Sequence, residues 1–166
     1  AKIDKIGAYI VTIDDEEYPP LLKNIYDPPY VLYMTGEHID WTKLLTITVV
    51  GTREPSVYGE KVTEQLSCEL AQSGVTIVSG MARGVDSAGQ SGALEGGGES
   101  FAILGCGADI CYPREAIGLY MDLQENGGVI SEFPIGTKPL PQHFPARNRI
   151  ISGLADAVLV IEAKEK

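Results

Sequence analysis

No stretch of this chain approaches the ~20 consecutive apolar residues that span a bilayer, and no basic-then-apolar leader opens it. A membrane partner is therefore not expected. Histidine is scarce, His38 and His143 being the whole complement, and the three cysteines, Cys68, Cys106 and Cys111, lack the paired spacing of a zinc site. An odd cysteine count without a secretion signal points to reduced thiols and a cytoplasmic location. No Gly-Lys-Ser/Thr closes a P-loop. After Val50 the chain reads Gly51-Thr52-Arg53-Glu54-Pro55, and after Leu104 it reads Gly105-Cys106-Gly107-Ala108, so the third glycine of the dinucleotide fingerprint is missing. No Gly-x-Ser-x-Gly elbow supports a triad drawn from Ser79 or Ser131, His143 and Asp86. These gaps argue against an NTPase, a nicotinamide enzyme and a serine hydrolase, and they call for no cofactor or metal. Basic residues are outnumbered too: 13 Lys and Arg stand against 23 Asp and Glu, a net charge of −10. That balance excludes a uniformly basic coat for duplex DNA but leaves room for a local basic groove.

What is present is a regular alternation. Apolar or β-branched runs begin at Thr46, Val75, Phe101, Gly128 and Ala157, at intervals of 29, 26, 27 and 29 residues. That spacing suits repeated strand–helix units. Val62, Leu66 and Leu70 recur every fourth residue and Gly74 stops that helix. Further helices are expected from about Asp86 to Leu94, Arg114 to Asn126 and Ala146 to Leu154. Continuous apolar strands separated by helices imply an α/β fold, a doubly wound Rossmann-like parallel sheet covered on both faces.

Residues 1–44 read differently. Acids cluster at Asp14-Asp15-Glu16-Glu17, and Pro19-Pro20 and Pro28-Pro29 interrupt regular structure. Leu21, Leu22 and Ile25 suit a short helical turn, and Tyr30–Met34 a strand at a sheet edge. We expect an extension packed on a Rossmann-like domain of residues 45–166, since the segment has too few apolar residues for its own core. The chain ends soon after the Ala157–Ile161 strand, at Ala163-Lys164-Glu165-Lys166, without a covering helix. We therefore expect the domain to be incomplete at its C-terminus.

In a parallel sheet the strand exits share one rim, the carboxyl edge, where such folds bind ligands. The exits here are Gly51-Thr52-Arg53, Ser79-Gly80 with Arg83, Gly105-Cys106-Gly107 and Ser131-Glu132. A strand that empties through small residues into a helix start offers amide N–H groups to a phosphate, and Arg53 and Arg83 stand ready as clamps beside Gly51, Ser79 and Gly80. Phe133–Ala155 contains no acidic residue. Within it lie Lys138, Gln142, His143, Phe144, Arg147, Asn148 and Arg149, with Pro139, Pro141 and Pro145. The prolines imply an extended loop, with Arg147-Asn148-Arg149 at a helix opening. Cations there oppose the helix dipole, so an anionic partner explains them better than stability does. Phe144 among arginines suits base stacking. In the alternative, Phe144 plugs the core and the arginines pair with Glu132 and Asp86, while Asp86 caps its helix or orients Arg83.

Several motifs occur in order: Val50-Gly51-Thr52-Arg53, Ser79-Gly80-Met81-Ala82-Arg83-Gly84-Val85-Asp86, Leu104-Gly105-Cys106-Gly107, Tyr112-Pro113, Ser131-Glu132-Phe133-Pro134 and Phe144-Pro145-Ala146-Arg147-Asn148-Arg149-Ile150-Ile151. Together with Tyr18-Pro19-Pro20-Leu21 and Asp27-Pro28-Pro29-Tyr30, this set closely resembles the bacterial DprA/Smf (DNA processing protein A) family over nearly the whole chain. The resemblance implies a non-enzymatic protein with an extended Rossmann domain that binds single-stranded DNA, loads RecA recombinase onto strands entering during natural transformation, and forms a homodimer. Family members commonly carry His where Gln90 stands. The same superfamily includes phosphoribohydrolases with a Pro-Gly-Gly-x-Gly-Thr loop before a catalytic Glu. Gly127-Gly128-Val129-Ile130-Ser131-Glu132 is the nearest analogue here and has lost that loop, which leaves a nucleotide-binding or nucleoside-monophosphate-cleaving enzyme as the alternative.

Overall fold

The computed structural model describes residues 2–163, so Lys164-Glu165-Lys166 at the chain end lie outside the described residues. A short helix, α1 (Lys2–Lys5), precedes two strands, β1 (Tyr9–Thr12) and β2 (Val31–Gly36). Then β3 (Leu45–Gly51), α2 (Val57–Gln72), β4 (Val75–Ser79), α3 (Val85–Glu95), β5 (Ser100–Ile103), α4 (Ile117–Glu125), β6 (Gly127–Ser131), α5 (His143–Gly153) and β7 (Ala157–Ile161) follow. All seven strands form one sheet in the order β1-β2-β6-β5-β4-β3-β7. From β6 to β7 neighbours run parallel, with Ile47 opposite Ile77 and Val50 opposite Val160. β1 and β2 add to the β6 side in antiparallel sense.

Strand alternation assigns the two faces. Val49, Ile77 and Val85 pack in one cluster and Ala102, Leu104, Leu123 and Val129 in another, on the side of α2, α3 and α4. Val78, Phe101, Ile103 and Ile130 point the opposite way, against Ile150 and Ile151 of α5, Leu154 just after it, and Tyr18, Leu22 and Trp41. Helices therefore lie on both faces of a mostly parallel sheet, the Rossmann-like arrangement. Two threonines of β3 anchor α5: the Thr46 hydroxyl donates to the Leu154 carbonyl and the Thr48 hydroxyl to the Ile151 carbonyl, each at 2.7 Å. Among the described residues no helix is long and apolar enough to cross a membrane.

Two expectations are corrected. The Tyr30–Met34 segment is not at an edge: β2 lies between β1 and β6, with Leu32 and Met34 buried. β1, only four residues long, takes the edge, and nothing in so short a run announces a strand. The last helix starts at His143 rather than Ala146, so Pro145 is its third residue. A proline is tolerated there because N–H groups of the first turn have no helical partner. Arg147 and Arg149 thus stand a turn further in than a helix opening, where the dipole penalty fades.

The interior position of β2 has a measurable consequence. Leu32→Ala should cost about 2–5 kcal/mol in denaturant unfolding, the range of a fully buried leucine. A change below ~1 kcal/mol would return β2 to an edge-like role.

Candidate nucleic-acid interface

The strand order reverses at β3: the chain passes through β4, β5 and β6 on one side, then returns through α5 to lay β7 on the other. Such a switch point opens a crevice outside the carboxyl ends of the strands. A cavity of about 370 Å³ lies there, lined by residues that include Gly51, Arg53, Asp86, Arg147 and Asn148. A second, of about 480 Å³, shares Arg53, Ala82 and Arg147 with it and extends to Gly80, Arg83, Tyr112, Arg114, Glu115 and Phe144. The two form one groove along the rim. Lys138 and Gln142 are exposed on the preceding loop and line neither cavity, nor do His143 and Arg149.

The small residues at the strand exits are claimed by the fold. The Ser79 hydroxyl donates to the Val49 carbonyl at 2.6 Å and the Ser131 hydroxyl to the Cys106 carbonyl at 2.6 Å. The Gly80 N–H donates to Asp86 Oδ2 at 3.1 Å, so the expectation that this amide faces a phosphate is corrected. At the start of α3 the Val85 N–H donates to the Thr52 carbonyl and the Ser87 N–H to the Ala82 carbonyl, which removes two more. Gly84, with φ 79° and a Cβ position only 2.5 Å from the Thr52 carbonyl oxygen, has to be glycine for this turn to close. Met81, buried at φ 54°, holds the preceding turn in the left-handed region, which is unusual for a side chain of its size.

Positive charge on this rim therefore comes from side chains, and these divide into classes. Arg147 is 4% exposed. Its Nη1 donates to the Ile103 carbonyl at 2.6 Å and the Gly80 carbonyl at 3.0 Å, while its Nε donates to Asn148 Oδ1 at 3.3 Å. Asp86 is its electrostatic partner. Burial pushes the Asp86 carboxyl above its usual range and the Arg147 guanidinium below its own, and the opposite charge of the partner works against each shift. Arg149 forms two 2.7 Å bonds to Glu132, from Nη1 to Oε1 and Nη2 to Oε2, and a further 2.9 Å bond to the Asp27 carbonyl. The hydrogen bond to Glu132 raises the Arg149 pKa further. In this structure, then, Arg147 and Arg149 are tied into the fold, as the alternative reading of these arginines has it, and Asp86 braces Gly80 and Arg147 rather than Arg83. The acid an enzymatic reading would draw on, Glu132, is the one neutralised by Arg149.

Arg83 and Arg53 face solvent. Arg83 Nε donates to Glu115 Oε1 at 2.5 Å, and this ion pair stays open to water, with 70% and 55% of the two side chains exposed. Arg53 is exposed and forms no ion pair among the described residues. Phe144 is half-buried: a Cβ on Gly105 would lie 2.9 Å from its ring, Arg147 Cζ sits 5.6 Å from its centroid, and Tyr112 packs beside it at 5.3 Å. His143 braces the same wall, with Nδ1 3.0 Å from the Gly105 carbonyl and its ring 4.1 Å from that of Phe133. Tyr112, Arg114 and Glu115, none of them a candidate site residue from sequence, reach the groove from a separate loop. The Tyr-Pro pair noted as a motif was the available signal. Gln90 is buried beside Ser100 and Phe101 at the amino end of β5, away from this rim. Among the described residues no His/Cys/Asp/Glu group could hold a metal.

Fold and groove together define an open α/β protein whose ligand crevice lies at the carboxyl edge of a parallel sheet and is lined by arginine and aromatic side chains. The chain belongs to the DNA recombination-mediator protein A family, whose family model matches residues 9–166. It is 39% identical to the DNA processing protein DprA of Bacillus subtilis over 96% of this chain and 54% of that protein. It is 45% identical to Protein Smf of Escherichia coli over 97% of this chain and 43% of that one. The chain thus spans about half the length of the curated relatives it matches. The crystal structure of DNA processing protein A from Streptococcus pneumoniae superposes with a TM-score of 0.90 at 38% identity, over 99% of this chain and 58% of that one. The Helicobacter pylori DNA processing protein A, whose structure addresses its single-stranded DNA binding mode, superposes at 0.85 with 32% identity, over 95% and 71%.

The burial of Arg147 sets a test. Arg147→Met leaves Asp86 as an uncompensated buried charge and should destabilise the domain by about 3–5 kcal/mol, read by thermal or denaturant unfolding. An unchanged melting temperature would mean that the guanidinium is free for a ligand after all.

Proposed function

We propose that this chain is the single-stranded-DNA-binding part of a recombination mediator that protects incoming DNA and helps load RecA recombinase, acting without catalysis as a cytoplasmic homodimer. One observation carries the DNA-binding reading: a groove lined by arginines and two aromatic rings in a chain whose net charge is −10. Backbone phosphates meet Arg53 and Arg83, while exposed bases meet the rings. A narrow basic groove in an acidic body favours a flexible single strand and repels the denser charge of a duplex. Membership of the family and the likeness to a single-stranded-DNA-binding relative support the same reading. RecA loading, dimerisation and the cytoplasmic setting rest on the family alone.

The first test is affinity. Single-stranded oligonucleotides should bind more tightly than duplexes of equal length, and Arg53→Ala should weaken binding of all base compositions alike. It should also make the slope of log K against log salt shallower by about 0.7, the share of a single phosphate. Weakening confined to one base composition would assign Arg53 to a base instead.

Glu115 provides the second. It occupies the guanidinium that a phosphate would take, and its carboxyl is held below the usual range by hydrogen bonds to its own backbone N–H and to Arg83. An exposed pair of this kind adds little to folding. Glu115→Gln should therefore tighten single-strand binding about two- to fivefold without moving the melting temperature. Weaker binding would show that Glu115 positions Arg83 rather than competing for it.

A further inference from the structure

Tyr112 is 43% exposed and lies in the same cavity wall as Arg53, Arg83 and Arg114. The hydroxyls of Tyr9, Tyr18 and Tyr120 each donate to a backbone carbonyl, of Glu37, Pro29 and Ala108 respectively. No such bond ties down the Tyr112 hydroxyl among the described residues, and the one acid lining this cavity, Glu115, is turned to Arg83. Its neighbour Phe144 is enclosed by Gly105 and the Arg147 guanidinium. The two rings are tilted by 32° at 5.3 Å and already in contact, so no base enters between them. They make one stepped aromatic wall, and Tyr112 is its solvent-facing step.

We infer that Tyr112 is a base-stacking residue of the groove, holding one unpaired base on its solvent-facing ring, so that the wall selects for strands whose bases are free. This rests on the groove being the single-strand site. An aromatic face accepts any unpaired base, because every base presents a π-face, whereas a duplex keeps its bases stacked on one another. Rim arginines set the backbone alongside, and the phenol hydroxyl is not needed.

The experiment compares a single-stranded thymidine oligonucleotide with an abasic deoxyribose-phosphate oligomer of equal length, by fluorescence anisotropy, for wild type, Tyr112→Phe, Tyr112→Leu and Arg53→Ala. Melting temperatures are recorded for each. Tyr112→Leu keeps apolar bulk against Phe144 but removes the aromatic face, and should weaken binding about 5- to 150-fold on thymidine and not at all on the abasic oligomer. Tyr112→Phe should stay within about twofold of wild type on both, because the ring is kept. Arg53→Ala should weaken both oligomers. Thymidine binding by Tyr112→Leu at wild-type strength, or equal weakening on both oligomers with or without a lower melting temperature, overturns the stacking role. Wild-type binding of both oligomers by Arg53→Ala overturns the groove reading itself, and the role of Tyr112 falls with it.

Discussion

The guanidinium of Arg147 occupies the space that Gly80 leaves by having no side chain. A Cβ on Gly80 would lie 2.8 Å from Asp86 Oδ2 and 2.9 Å from Arg147 Cζ, so the glycine, the acid and the arginine are set by one another. Through this cluster α5 is tied to the ends of β4 and β5, and α3 is tied to the turn after β4. A buried charge is tolerable only when paired and hydrogen-bonded. Here Arg147 reaches two main-chain carbonyls and Asp86 at least one main-chain N–H. The rim of the sheet depends on that arrangement, because the turn carrying Arg83 and the helix carrying Phe144 both start from it.

With the rim held, the groove follows from topology. Reversal of strand order at β3 leaves room beside Gly51, where β7 approaches so closely that a Cβ would lie 1.9 Å from the Ile161 carbonyl oxygen. α5 then returns over the second face and brings Phe144 beside Tyr112. The Gly80, Val85 and Ser87 amides are hydrogen-bonded within the fold, and the solvent-facing positive charge of the rim is that of guanidiniums. Phosphate contacts by such groups are strongly screened by salt and indifferent to sequence.

The N-terminal residues complete the same sheet. β2 pairs with β6, placing Tyr33 opposite Ser131, and the Tyr18 hydroxyl donates to the Pro29 carbonyl at 2.6 Å inside the core shared with α5. Asp27 supplies its carbonyl to Arg149. The segment between β1 and β2 thereby shields the α5 face and orients the Glu132–Arg149 pair behind the groove.

Periodicity alone located the five parallel strands and, apart from the first turn of α5, the helices between them, since burial on both faces demands continuous apolar runs and helices demand apolar residues at every third or fourth position. It also placed Arg53, Gly80 and Arg83 along one edge, because every exit of a parallel sheet lies on the same side, whereas Phe144 and Arg147 stood out by their acid-free surroundings. Their states were not legible. Whether an arginine faces water or a buried carboxylate depends on residues far away in the chain: Asp86 and Ile103 for Arg147, Glu132 and Asp27 for Arg149, Glu115 for Arg83. Tyr112 entered the groove, and β2 the sheet interior, by the same kind of long-range packing. Local sequence determines which elements form and which edge they share. Only the tertiary structure decides which charges on that edge remain free, because desolvation and pairing are settled by neighbours that the chain brings together when it folds.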